Sequence, residues 1–418
     1  MIDRNADRFA VRPKFLAWLT FAIALPVLAH AAWDYTEARR LRARVDAISA
    51  KGEPTAIDQV RPFRNLTDSD REAARLYRAA AALASDWNRN AYVPLAPPNN
   101  ILNAAPQDWS PAQRERADRL LSANSEALAL VDRATAMEFS GFHPGTDYSY
   151  RFGELWQLEQ IVSLRTRVLA VDQRDTAATA LHVQLRLRQA IDREYPNTLN
   201  WFMESISRDL ALVVGRVRPT DASFAAWEAV LSGLDRDDRV KRIFLAHRAE
   251  WLNNGSVNPR ARLNPVLIPW DAVRRPLDLH MANEIADQQT RYIEFADRPW
   301  PQRLDAFRDV DTGPFGGRKD LIAMQRYAVA DTVRQEARNT ALLRSARIAI
   351  AIERARESNT TPEIPKLIDP YSGEPMRVKR DGASYVVYSV GQNRRDDGGH
   401  ATLDVTFRPV PAALRSNP

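Results

Sequence analysis

The chain has 418 residues, 45% of them hydrophobic, which is enough for two or three domains with a sizeable core. Its formal charge of +6 is almost all arginine, since only six residues are lysine, and it is scattered among 53 acids; nucleic-acid binding, which gathers basic residues on one face, is not expected. The absence of cysteine excludes disulfides, thiolate catalysis and cysteine-ligated zinc.

Only 15 glycines, with abundant Ala, Leu, Arg and Glu, predict a mainly α chain. A basic tail over 1–14, carrying Arg4, Arg8, Arg12 and Lys14, precedes residues 15–33, which hold no Asp, Glu, Lys or Arg. As a helix this segment would span roughly 28 Å, close to a bilayer core, with Trp18 and Trp33 at the interfacial ends. It reads either as a transmembrane signal-anchor behind a cytoplasmic tail or as a signal peptide cleaved after Ala31. For cleavage, Ala29-His30-Ala31 has the small-x-small form and Pro26 is expected to break the helix. The downstream pattern favours the anchor. Ala38, Leu41, Val45 and Ile48 recur at 3-4-3 spacing up to Gly52-Glu53-Pro54, predicting a stalk helix within 34–54. Export of the bulk of the chain follows on either reading.

Residues 55–339 predict an irregular antiparallel helical array. Ser69-Asp70-Arg71-Glu72 reads as a capping box opening a helix that runs to about Trp87, and Ser110-Pro111-Ala112-Gln113 reads as a second box. Further helices are predicted at about 152–172, 176–193, 197–216, 221–233, 238–253, 276–297 and 320–356, with short links such as Asp172–Asp175 implying antiparallel neighbours. No 34-residue period marks a repeat protein. Two stretches read as long loops: Asn253 to Pro276, which carries Trp270, and Pro299 to Gly317. Such loops often line ligand sites, although tryptophans also plug gaps between helices.

Chemistry is sparse. There is no Gly-rich phosphate loop, no Gly-x-Ser-x-Gly elbow and no His-Glu-x-x-His. His247 with Glu250, and His280 with Glu284, each share a helix face, so two packed helices could supply four metal ligands; the plainer reading is charged helix surface. Glu154, Glu159, Glu204 and Asp209, set among Arg165, Arg167 and Arg208, read as surface ion pairs rather than a catalytic carboxylate pair.

Residues 340–418 predict a small α+β unit in which a helix is followed by a three-stranded antiparallel sheet. Asp369-Pro370-Tyr371-Ser372-Gly373 makes a turn, strands fit at about 375–380, 384–390 and 402–408, and Asp381-Gly382 signals a hairpin. Tyr385 to Val390 alternates as if one face met the helix and the other water. Together with Tyr388-Ser389-Val390-Gly391 and Asp396-Asp397-Gly398-Gly399, this order over about 340–408 resembles the globular end of the major pseudopilins of type II secretion systems. In that family the loop after the Tyr-Ser-x-Gly strand holds calcium. Carried over by position, the resemblance implies Ser389, Asn393, Asp396, Asp397 and Asp404 as ligand positions, a donor set that suits calcium. This chain departs from the family in having Asn393-Arg394 where Asp-Gly is usual, and in lacking the pilin N-terminal Gly-Phe and membrane-embedded Glu. It is therefore expected to use the module for docking rather than to build a pilus. The expected protein is a single-pass inner-membrane protein of a Gram-negative-type bacterium with a periplasmic bulk that binds envelope proteins. The alternative is an exported hydrolase with its site among residues 253–275 and 298–319.

Overall fold

Long runs rich in Ala, Leu and Arg, broken at Gly, Pro and Asn, become helices along most of the chain. The computed structural model describes residues 13–60, 67–84, 106–138, 148–194, 203–254, 268–311, 321–382 and 384–410. The helices are α1 (Pro13–Ala50), α2 (Ile57–Val60), α3 (Asp68–Ala84), α4 (Pro111–Ala123), α5 (Ser125–Thr135), α6 (Tyr148–Val171), α7 (Thr176–Glu194), α8 (Met203–Arg216), α9 (Asp221–Leu234), α10 (Arg239–Asn254), α11 (Ile268–Ala296), α12 (Trp300–Asp311) and α13 (Leu321–Glu357). The strands are β1 (Arg377–Asp381), β2 (Ser384–Ser389) and β3 (Val405–Phe407). The chain divides into two compact units, Met1–Arg61 with Phe244–Glu294, and Pro62–Ile243 with Phe295–Pro418.

In the first unit the periodic residues of the stalk find a partner. Leu41 and Ile48, with Ala38 and Val45 beside them, pack on Leu252, Leu279, Ala282 and Ala286. Contacts climb α1 and α11 together: His30 meets Val273, Asp34 meets Arg275, Glu37 meets His280, and Arg44 meets Asp287. The two helices therefore lie side by side and parallel. α1 runs through Pro26 instead of ending there. Among the described residues no helix is long and apolar enough to cross a membrane. The membrane helix expected over 15–33 thus finds no support there; the side chains of 15–17 and 19 lie outside the described residues.

In the second unit, α3 presents Ala73, Ala74, Ala80, Ala81 and Ala84, and these small side chains let it pack closely on α5 and α6. Asp172–Asp175 turns α6 back onto α7, with Gln173 in the left-handed region at φ 54. Trp227 of α9 is fully buried and donates to the Ala178 carbonyl of α7. α13 links these helices to the sheet, whose order is β1-β2-β3, antiparallel throughout. The β1–β2 hairpin pairs Asp381 with Ser384, and Gly382 takes the positive φ (62°) that the turn requires. After β3 the chain returns to α8, where the Val410 amide donates to Ala211; a Cβ at Gly215 would lie 1.8 Å from the Val410 oxygen, so only glycine fits.

Four local expectations change. The helix-opening box is Thr67 with Asp70, not Ser69 with Glu72: the Thr67 hydroxyl accepts from the Asp70 amide, and the Asp70 carboxylate accepts from the Thr67 amide. Residues 299–317 are not a continuous loop, because α12 occupies Trp300–Asp311, with Pro301 in its first turn where a missing N–H costs nothing. The loop expected up to Pro276 gives way to helix from Ile268. Finally, β2 is buried on both faces from Tyr385 to Ser389 rather than half-solvated.

Candidate functional site

The C-terminal unit is organised around one carboxylate. Asp369, 0% exposed, accepts hydrogen bonds from the Tyr371 amide (2.9 Å), the Val390 amide (3.0 Å), the Ser372 hydroxyl (3.1 Å) and the Ser389 hydroxyl (2.7 Å). Arg377 of β1 stands 3.8 Å away. Its own backbone closes the turn, the Asp369 amide donating to Glu374 and the Gly373 amide donating to Asp369, with Gly373 at φ 78. One side chain thus clamps the Asp-Pro turn to the end of β2. Four donors and a neighbouring arginine offset the cost of burying it.

The loop from Gly391 to Asp404 folds over the face of β2 that was expected to meet water. A Cβ at Gly399 would touch Val386 and Tyr388, and one at Gly391 would lie 2.4 Å from the Leu403 oxygen. Asp404, 4% exposed, accepts through Oδ2 from the amides of Gly399 (2.7 Å) and His400 (2.9 Å), while its buried Oδ1 accepts no hydrogen bond. Asp396 accepts from the Gly398 amide and the Tyr388 hydroxyl and pairs with Arg377 at 3.1 Å. These contacts, the Gly398 amide foremost, lower its pKa. Asn393 donates to Asp397 and accepts from the Arg395 amide. Arg394, at φ 58, reaches from the loop to Asp305 and the Pro301 carbonyl of α12.

Of the five residues implied by the pseudopilin resemblance, Ser389 ends β2 and the other four lie in the loop, each engaged apart: Ser389 on Asp369, Asn393 on Asp397, Asp396 on Arg377, and Asp404 on two backbone amides. Among the described residues no three His, Asp or Glu side chains stand together as metal ligands. No family model, curated protein or solved structure matches the chain.

Among the described residues, His247, His280 and Glu284 form no group that could hold a metal. His280 Nδ1 lies 3.4 Å from Glu37 Oε1 of α1, Glu284 is exposed, and the side chain of Glu250 lies outside the described residues, as does that of Trp270.

Sequence reasoning missed a buried ionic cluster in the helical body. Asp209 of α8 accepts from Arg167 (2.5 Å) and Ser163 (2.6 Å) of α6 and from Gln184 (2.8 Å) of α7. Gln184 also reaches Glu159 of α6 at 3.3 Å. Nearby in sequence order, Arg239 of α10 pairs with Asp192 of α7 and with Glu336 of α13. Burial pushes Glu159 up to about 7, with the field of Asp209 adding to it and Arg188 opposing it. Burial likewise pushes Glu336 up to about 7 against the pull of Arg239, and lowers Arg188 to about 10. The surface expectation holds for Glu204, paired with Arg338; Arg165 is largely covered but still pairs with the exposed Asp132, and the expectation fails for Glu159, Arg167 and Asp209. Alternation of Glu, Arg and Gln on helices that are otherwise apolar on every side was the available signal. These groups are contributed by five helices and buried among them.

Proposed function

We propose that this chain is a single-pass inner-membrane protein of the bacterial envelope, whose helical body and C-terminal unit face the periplasm and bind other envelope proteins. The observation that carries the reading is the uncovered apolar length of α1. Trp18 is 73% exposed, and Phe21, Ile23, Leu25, Val27 and Leu28 are exposed with it, a run that soluble helices rarely leave bare. α11 meets α1 only from His30 on, and burial begins only at Glu37 and Leu41, below the last aromatics of the run. The pseudopilin-like order of the C-terminal motifs supports an envelope address. Its outer strand β1 is exposed and basic through Lys379 and Arg380, a charged edge that discourages self-pairing and favours an acidic extended partner. Protease added to spheroplasts carrying the full chain is expected to digest the bulk of the protein; protection of that bulk without detergent would contradict the orientation.

Calcium enters the proposal through the loop of Asn393, Asp396, Asp397 and Asp404, and its support is the buried Asp404 Oδ1. Arg377, already paired with Asp396, weighs against it. A ligand bound only by the folded state raises apparent stability by about 2.7 kcal/mol at a hundredfold excess over its Kd. Thermal unfolding with calcium and then with chelator should show an upward shift that Asp404→Asn abolishes; identical curves would remove calcium from the reading and leave a loop closed by its own hydrogen bonds.

A further inference from the structure

We infer that the first turns of α11 form a second membrane contact, an interfacial foot that rests on anionic phospholipid headgroups beside the apolar stretch of α1. The inference rests on the membrane reading above and adds to it a lipid class and a place on the chain. α11 runs parallel to α1 and reaches upward into its apolar stretch, since His30 Nε2 lies 2.9 Å from the Val273 carbonyl oxygen. If residues up to Trp33 enter a bilayer, Val273 is carried to the same depth. Val273 is 61% exposed and Leu277 is 47% exposed, so the foot offers apolar side chains at that level that no described residue of its own unit covers. Trp33 and Tyr35, also exposed, mark the same level on α1, where amphipathic rings are favoured.

Charge selects the partner. Arg274 and Arg275 lie between Val273 and Leu277, with side chains 65% and 48% exposed. On α1 the exposed Arg39, Arg40 and Arg42 follow within about 14 Å of Trp33 along the helix axis. The acids facing this group are Asp34 on Arg275, Asp278 on Arg274, and Glu37 on Arg40 and His280. Among the described side chains five arginines stand against three carboxylates, and counting Asp271 of the first turn the level is still net positive; Arg39 and Arg42 have no ion pair among the described residues. An apolar rim beneath a basic belt is the chemistry of a surface bearing anionic headgroups.

The chain has no cysteine, so single reporters are clean. The full chain carrying Val273→Cys or Leu25→Cys is labelled with an environment-sensitive fluorophore and placed in nanodiscs of zwitterionic lipid, or of zwitterionic mixed with anionic phospholipid. Both probes should emit to the blue relative to detergent-free buffer. The Val273 shift should increase with anionic lipid, and that increase should vanish in Arg39→Gln with Arg42→Gln, a pair whose loss breaks no ion pair among the described residues. A blue Leu25 probe with a water-like Val273 probe in both lipids would overturn the foot while leaving the anchor. A water-like Leu25 probe would overturn both. A Val273 probe equally blue in both lipids and in the arginine variant would overturn the headgroup assignment.

Discussion

Asp369 has no solvent to fall back on, so its worth is set by what its donors lose. Asparagine there would present an amide N–H to atoms that are themselves donors: two backbone amides and two hydroxyls. Asp369→Asn should destabilise the chain by about 2–4 kcal/mol in urea unfolding, with the hairpin amides losing hydrogen-exchange protection first. A loss under about half a kcal/mol would mean the turn stands without the clamp. The buried glutamates act through pH. Glu159 and Glu336 are held at about 7, above their ordinary 4.5, so the folded chain keeps protons that the unfolded chain has released. Their contribution is fully present below about pH 4.5 and is lost as pH rises through about 7. Stability should fall across that window by up to a few kcal/mol per site, and Glu159→Gln with Glu336→Gln should flatten the fall. An unchanged slope in the double variant, read from denaturant midpoints at each pH, would show that neither group titrates there.

At the scale of elements, periodicity carried most of the fold. The predicted helices at 176–193 and 221–233 stand at Thr176–Glu194 and Asp221–Leu234, because an apolar face at 3.6-residue spacing leaves little choice. Prolines misled at three positions, Pro26, which α1 runs through, and two more. Pro301 was read as a breaker although it sits in the first turn of α12, and Pro276 was read as a loop end although α11 passes through it. Partner choice was not legible either. The seam Ala38, Leu41, Val45 and Ile48 announced a helix face but not that α11 would cover it, since the covering residues lie over two hundred positions away and carry no matching signal. The same holds for Arg167 and Asp209: spacing cannot tell a buried ion pair from a surface one until the third and fourth helices are placed. In the C-terminal unit, turn chemistry at Asp369-Pro370 and Asp381-Gly382 fixed the hairpin in advance, yet the folding of the loop over the second face of β2 came from Gly391 and Gly399, whose close contacts depend on distant backbone.

For the whole molecule, the two compact units divide the chain differently from the boundaries expected at 34–54 and 55–339, because Phe244–Glu294 joins the N-terminal helix. The unit that bears the bare apolar run also bears the arginine belt, so both parts of the proposed membrane contact fall in one unit. The other carries a buried ionic cluster and a C-terminal sheet held by Asp369, the body on which the proposed partner binding would rest. The measurement that bears most directly on this account is alkaline carbonate extraction of membranes containing the full chain, compared with a Leu25→Asp, Leu28→Asp variant. The account predicts that the native chain stays in the membrane pellet and that the variant is released, since each charge at the centre of a spanning helix costs about 2.5–3.5 kcal/mol. Release of the native chain into the supernatant would contradict it.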